Sequence, residues 1–281
     1  MSLFFVDSNC DLPRDLLAKM PVECINFPCT LNGEIIKFDK IYDGLGFKPN
    51  MLTMEVSTPS TSDYVEIFKQ CFYRGDDVTY VYASEKLLDT SNLMEARSLL
   101  LKDFPERKLL LIDSSNFSIA QGIISYMLAL MYRNGATLDE IADYSTKIKD
   151  EFQVMLSLNS LDTLIQNGHI ANTTIGGGAL RVRPIVTVDS EGKFQVIDKV
   201  SGKKKSMLQL LEYIKKMGAN VVDYPIGIVC NDDDSLALEL KENIIKYFGD
   251  ETFVIMGKFS PNNLSLIGDG LGLCFHVKKK N

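Results

Sequence analysis

Leu3-Phe4-Phe5-Val6-Asp7-Ser8-Asn9-Cys10-Asp11-Leu12-Pro13 is an apolar, strand-like run that breaks into a cluster of short polar side chains. It then enters a helical pattern carried by Leu12, Leu16, Leu17 and Met20. Strand, polar loop, helix is the unit from which open parallel sheets are built. The opening recurs three times, as Met54-Glu55-Val56 runs into Ser57-Thr58-Pro59-Ser60, Val78 to Ala83 into Ser84, and Lys108 to Ile112 into Asp113-Ser114-Ser115. In an open parallel sheet the loops leaving the carboxyl ends of the strands border one crevice, so these clusters are expected to converge on a ligand. Each reads equally well as a helix cap, because Ser, Thr and Asp side chains accept hydrogen bonds from exposed helix amides. Asp11 is placed to cap the first helix.

Working outward, Asn32-Gly33 between two short extended runs signals a hairpin, and hence a small β-ribbon. Thr61 or Ser62 is expected to cap a helix bearing Tyr64, Val65, Phe68, Cys71 and Phe72, which stops at Gly75. Strands at 78–83 and 108–112 alternate with helices at 92–101 and 119–133. Thr137-Leu138-Asp139-Glu140 opens a further helix with a capping box. After residue 152 the texture changes to strands at 152–158, 176–200 (around a turn at Asp189-Ser190-Glu191-Gly192), 224–230, 252–256 and 271–277, with helices at 161–166, 206–217 and 235–248. At 281 residues the chain exceeds one comfortable core. The expectation is an α/β protein of two domains. Residues 1–155 form an N-terminal three-layer α/β/α domain with a mainly parallel sheet. Residues 156–281 form a C-terminal α+β domain with a mixed or antiparallel sheet.

Composition excludes several classes. A formal charge of −7, with 37 acidic against 30 basic side chains, argues against broad binding to nucleic acid. No apolar run has the ~18 residues of a membrane span. Six scattered cysteines without CxxC spacing, behind an N-terminus with no secretory core, read as a cytoplasmic chain with reduced thiols. His169 and His276 are the two histidines and neither sits in a nucleophile or metal motif, so no metal and no cofactor is expected. Gly176-Gly177-Gly178 lacks the Lys-Ser/Thr of a phosphate loop and reads as a connector.

Taken in order, the clusters resemble the signature of the DegV family, bacterial proteins that bind a long-chain fatty acid. Val6 to Pro13 is similar to V-D-S-T-A-D-L-P, and Ser57-Thr58-Pro59-Ser60 to the last four residues of T-S-Q-P-S. Ser84-Glu85-Lys86-Leu87-Leu88-Asp89-Thr90 stands where the family has S-S-K-L-S-G-T. Asp113-Ser114, Gly168-His169-Ile170 for G-R-I, Lys199-Val200-Ser201-Gly202-Lys203-Lys204 for K-V-R-G-x-K, and Gly268-Asp269-Gly270 for G-P-G come after in the same order. The resemblance implies an acyl chain buried between or beneath the domains, its carboxylate held by the hydroxyls of Ser57, with Thr58 as neighbour, and Ser84. In some members the acid is presented to a fatty acid kinase. Against that partner stand His169 and Ser201, which replace two family arginines and cannot supply a bidentate guanidinium. Val56 replaces the first box's threonine, Glu85 and Asp89 replace neutral residues of the second box, and Leu266 stands for a histidine before G-P-G.

The functional expectation is non-catalytic binding of a long-chain fatty acid in an apolar pocket. Eleven Met and fifteen Phe residues are available to line it. Two alternatives stay open. The carboxylates of Glu85 and Asp89 would repel a fatty acid anion and favour a different small molecule on the same fold. An enzyme of phosphoryl or acyl transfer would use Asp7, Asp113 or a serine nucleophile.

Overall fold

The computed structural model describes residues 2–31, 33–35, 54–171, 182–189, 191–231 and 234–277. Asn32, the Gly176-Gly177-Gly178 run and the Lys278-Lys279-Lys280 tail lie outside them. The chain begins with β1 (Ser2–Asp7), a 3-10 turn (Ser8–Cys10), α1 (Arg14–Leu17), β2 (Val22–Ile25), β3 (Cys29–Leu31), β4 (Glu34–Ile35) and β5 (Met54–Val56). Next come α2 (Thr61–Tyr73), β6 (Asp77–Tyr82), α3 (Ser91–Asp103), β7 (Leu109–Asp113), α4 (Ser118–Arg133) and α5 (Leu138–Ile148). The second part contains β8 (Phe152–Leu158), α6 (Asp162–Gln166), β9 (Val182–Val188), β10 (Phe194–Ser201), α7 (Lys203–Met217) and β11 (Ile226–Cys230). It closes with α8 (Asp234–Phe248), β12 (Val254–Lys258), α9 (Pro261–Ile267) and β13 (Gly270–His276).

The first sheet has the order β2-β1-β6-β7, every pair parallel. Its inner strands β1 and β6 are largely apolar because both faces are covered, whereas edge strand β2 exposes Glu23. Phe4, Val6, Val81 and Ile112 pack with Ile119, Ile123 and Ile124 of α4. Phe5, Val78, Tyr80 and Leu109 point the other way, onto Tyr64 and Phe68 of α2 and Leu93 and Leu100 of α3. This is the expected three-layer domain. The second sheet, β10-β9-β8-β13-β11-β12, is antiparallel except for its β11-β12 pair. One face, with Val154, Leu156, Val229 and Cys274, joins the same core as α4. The other, with Met155, Ile228 and Leu273, is covered by Leu210 of α7 and Leu240 of α8. All of β8 pairs within this sheet, so the change from one sheet to the other falls between Ile148 and Phe152.

The structure corrects four local expectations. Met54-Glu55-Val56 is not a strand of the parallel sheet. It pairs antiparallel with β3 in the small ribbon β4-β3-β5, being too short and too polar at Glu55 to cross a buried sheet. Helix α2 is capped one residue early: Ser60 accepts from the Asp63 amide while Asp63 accepts from the Ser60 amide. Asp11 does not cap α1, whose N-cap is Pro13; it ends the 3-10 turn instead, in the left-handed region at φ 50°. Helix α9 is absent from the sequence expectation, although Ser260 before Pro261 is a cap with an N1 proline. The Thr137 to Glu140 capping box of α5 forms as expected.

Helix α4 is buried from Ser118 through Ser125 because it lies between the two sheets. Glycines permit the approach. A Cβ on Gly257 would lie 1.9 Å from the Asp11 carbonyl oxygen, and one on Gly227 would lie 2.5 Å from Ile119. The first contact is with backbone, which cannot turn aside. Gly257→Ala should therefore destabilise the protein by ~2–3 kcal/mol through overpacking, read as a lower urea midpoint. An unchanged midpoint would mean that the sheets part at little cost.

Candidate functional site

A cleft of about 670 Å³ opens where the loops of the first sheet meet α6 and α9, a size typical of small-molecule sites, ~300–1,000 Å³. From the first part, Asn9 lies just after β1, Phe27 precedes β3, Glu55 to Thr58 run out of the end of β5, and Ala83 follows β6. Leu87, Leu88 and Asp89 form the next turn, and Phe117 precedes α4. The facing wall is Thr163, Gln166, Asn167 and His169 with Asn262, Asn263, Ser265 and Leu266. Phe27, Val56, Leu87, Leu88, Phe117 and Leu266 give it an apolar lining, to which no methionine among the described residues contributes.

Of the three residues singled out in the sequence, the structure brings Ser57 and Thr58 to the cleft. Ser57 is exposed, and its amide donates to the Pro28 carbonyl at 3.1 Å, which fixes the turn out of β5. Ser84 does not line the cleft. It is 2% exposed; its amide donates to Asn116, its carbonyl accepts from the amides of Leu87 and Leu88, and its hydroxyl accepts from the Lys86 amide. Ser84 thus builds the turn that presents Leu87 to Asp89. Glu85 is exposed away from the lining, whereas Asp89 lies within it. The Ser91 amide, donating to Asp89 at 2.9 Å, holds that carboxyl below its usual range.

His169 lines the cleft, its ring 5.3 Å from that of Phe194, and burial lowers its pKa, so it is neutral near pH 7. Glu55 and Asp89 are acidic members of the lining, and no lysine or arginine joins them among the described residues. His276 is structural: its ring stacks on Tyr224 at 4.0 Å, with Nδ1 at the Ala219 carbonyl and Nε2 at Glu151.

Beneath the cleft lie two buried carboxyls. Asp7 accepts from the amides of Asn9 and Ala83, the Tyr80 hydroxyl and Gln121 Nε2. Asp11 accepts from the Ser118 hydroxyl, the Ser260 amide at 2.7 Å and Asn263 Nδ2 at 2.8 Å. Desolvation pushes Asp7 up to about 6 and Asp11 up to about 7, against hydrogen bonds that favour the anion. Neither lines the cleft, nor does Asp113, whose carboxylate accepts from the Ser115 amide and hydroxyl. Among the described residues no cluster of three or more His, Cys, Asp or Glu could hold a metal, and no helix is long and apolar enough to cross a membrane.

Sequence reasoning misses Thr163, Asn262, Asn263 and Ser265. The Ser260-Pro261 start of α9 is the available signal for the last three.

This architecture, two α/β domains with a loop-bordered cleft, is that of a known family. The DegV model, described as uncharacterised protein, DegV family, matches residues 4–278, and the chain belongs to that family. A DegV domain-containing protein of Clostridium perfringens is 28% identical over 267 residues, covering 88% of this chain and 91% of its own. One of Caldanaerobacter subterraneus is 26% identical over 245 residues, 84% of each chain. Among solved structures, a DegV family protein from Eubacterium eligens loaded with heptadecanoic acid superposes with TM-score 0.81 at 22% identity, covering 99% of this chain and 100% of that one. The Streptococcus pneumoniae Fatty Acid Kinase (Fak) B3 protein loaded with linoleic acid gives TM-score 0.79 at 18% identity, over 99% and 100%.

The buried carboxyls make stability depend on pH. Because both folded values exceed the ordinary 3.8, the native state keeps protons that the unfolded chain has released. Their contribution is complete below pH ~4 and lost as pH rises through about 6 for Asp7 and about 7 for Asp11. Stability should fall from pH 5 to 7, by up to ~1.4 kcal/mol per pH unit for each group. Asp11→Asn should flatten that slope in urea titrations at pH 5, 6, 7 and 8. Parallel profiles for variant and parent would place the pH dependence elsewhere.

Proposed function

We propose that this protein binds a long-chain fatty acid in the cleft and performs no chemistry on it. The observation that carries this reading is one cleft, large enough for an acyl chain, whose apolar lining meets the hydroxyls of Ser57 and Thr58 at the exit of β5. The E. eligens and S. pneumoniae neighbours, loaded with heptadecanoic and linoleic acid, support it. Asp7 and Asp113, the carboxylates an enzyme of phosphoryl or acyl transfer would use, serve hydrogen bonds that hold loops together. In this reading Ser57 and Thr58 touch the head group, and Ser84 acts through the turn it anchors.

The domains divide, in this reading, just before β8. A fatty acid kinase would meet neither of the two family arginines on this chain. Where the family arginines stand, His169 is a neutral ring against Phe194 and Ser201 is exposed at the end of β10.

Native mass spectrometry of protein purified from cells should show an added mass of roughly 200–350 Da, the range of long acyl chains for a pocket of this kind. After delipidation, heptadecanoic acid should bind at pH 6.5. Ser57→Ala combined with Thr58→Val should weaken it about tenfold, the effect of losing two modest hydrogen bonds. Protein that stays unliganded across a panel of chain lengths would sink the reading.

A further inference from the structure

Asn262 is 8% exposed and lines the cleft, and its Nδ2 and Oδ1, both closed off from solvent, have no hydrogen-bond partner among the described residues. Buried polar atoms in folded proteins are almost always paired, so an amide idle at both ends, in a residue of the cleft wall, is available to a ligand once its side chain turns toward the cleft. The amides of Asn263 and Asn167 are engaged. Asn263 Nδ2 donates to the Asn9 carbonyl and to Asp11, each at 2.8 Å, and Asn167 Nδ2 donates to the carbonyls of Ser265 and Leu266. Asn262 and Leu266 are one helical turn apart on α9, so they share a face, amide beside apolar surface.

The chemistry of the amide selects its partner. It offers an N–H donor and a carbonyl acceptor side by side. Both are satisfied at once by a group that presents a carbonyl and an X–H in the same plane, namely an undissociated carboxyl or a primary carboxamide. A carboxylate would satisfy the donor and set its own negative oxygen against Oδ1. The rest of the wall works in the same sense, because Glu55 and Asp89 are its acidic groups, His169 is its titratable nitrogen, and lysine and arginine are not among its described residues. Ser57 and Thr58 are compatible with such a head group, since a hydroxyl both donates and accepts.

We infer that Asn262 receives the head group of the acyl ligand, and that this head group is uncharged: the protonated carboxylic acid or the corresponding primary amide, in preference to the carboxylate. This rests on the reading of the cleft as an acyl-ligand site and specifies what that site recognises.

The test compares tetradecanoic acid with tetradecanamide on the delipidated full chain, by calorimetry at pH 6.5, 7.5 and 8.5. Asp11, bonded to Asn263 beneath α9, also titrates in this range. The amide ligand does not titrate and so reports any change in the protein itself. Relative to the amide, the affinity of the acid should fall roughly tenfold per pH unit, as expected when only the protonated form of a carboxylic acid binds. Asn262→Leu should weaken the amide about tenfold or more, and Asn262→Ser less. The wild-type pH comparison stands even if a variant fails to fold. Acid and amide affinities in constant ratio from pH 6.5 to 8.5, or an Asn262→Leu protein that binds both unchanged, would overturn the inference while leaving acyl binding intact. Failure of wild-type protein to bind either ligand at any pH would overturn both.

Discussion

The carboxylate of Asp11 holds the site together. It lies between three segments distant in sequence: the loop after β1, the start of α4 through Ser118, and the start of α9 through Ser260 and Asn263. The opposite walls of the cleft belong to the first and third of these, so the distance between them is set by hydrogen bonds to this buried side chain together with the one from Asn263 to the Asn9 carbonyl. A charge there is costly to bury, which raises the pKa of Asp11, while the donors that hold the carboxyl in place are themselves buried. Asp7 plays a parallel part on the other side of the loop, tying β1, the end of β6 and Gln121 of α4.

With those walls fixed, the character of the cleft comes from short segments that carry little regular structure. The exit of β5 contributes hydroxyls, the turn after Ser84 contributes leucines and Asp89, and α9 contributes an unpaired amide. A site with hydroxyl and amide groups, acidic neighbours and a neutral histidine differs in kind from one built around guanidinium groups. It can orient a head group by complementary donors and acceptors and gains little from net charge.

Much of this is legible in the order of residues alone. Apolar runs in β1, β6 and β7 carry the signal of two-sided burial, and the Thr137 to Glu140 box names the start of α5 correctly. Met54-Glu55-Val56 misleads because three residues of strand character do not reveal which sheet they join. That depends on pairing with Thr30, far away in sequence. Ser84 looks like a ligand group because a hydroxyl that closes a turn and one that faces a cleft leave the same letter in the same place. Asn262 and Asn263 are invisible for the opposite reason. Adjacent asparagines after a proline suggest a turn, and only the Ser260 cap and the tertiary anchor at Asp11 make them helical.

Helix α4 serves as a common floor for both sheets. Either half of the chain, produced alone, would carry a broad greasy face with no cover: the first half would expose the side of α4 that meets β11, and the second the strands that α4 roofs. The two domains are separate in topology but share one core, so they should unfold as one cooperative unit, and a gene cut at their junction should yield aggregating fragments in place of two working modules.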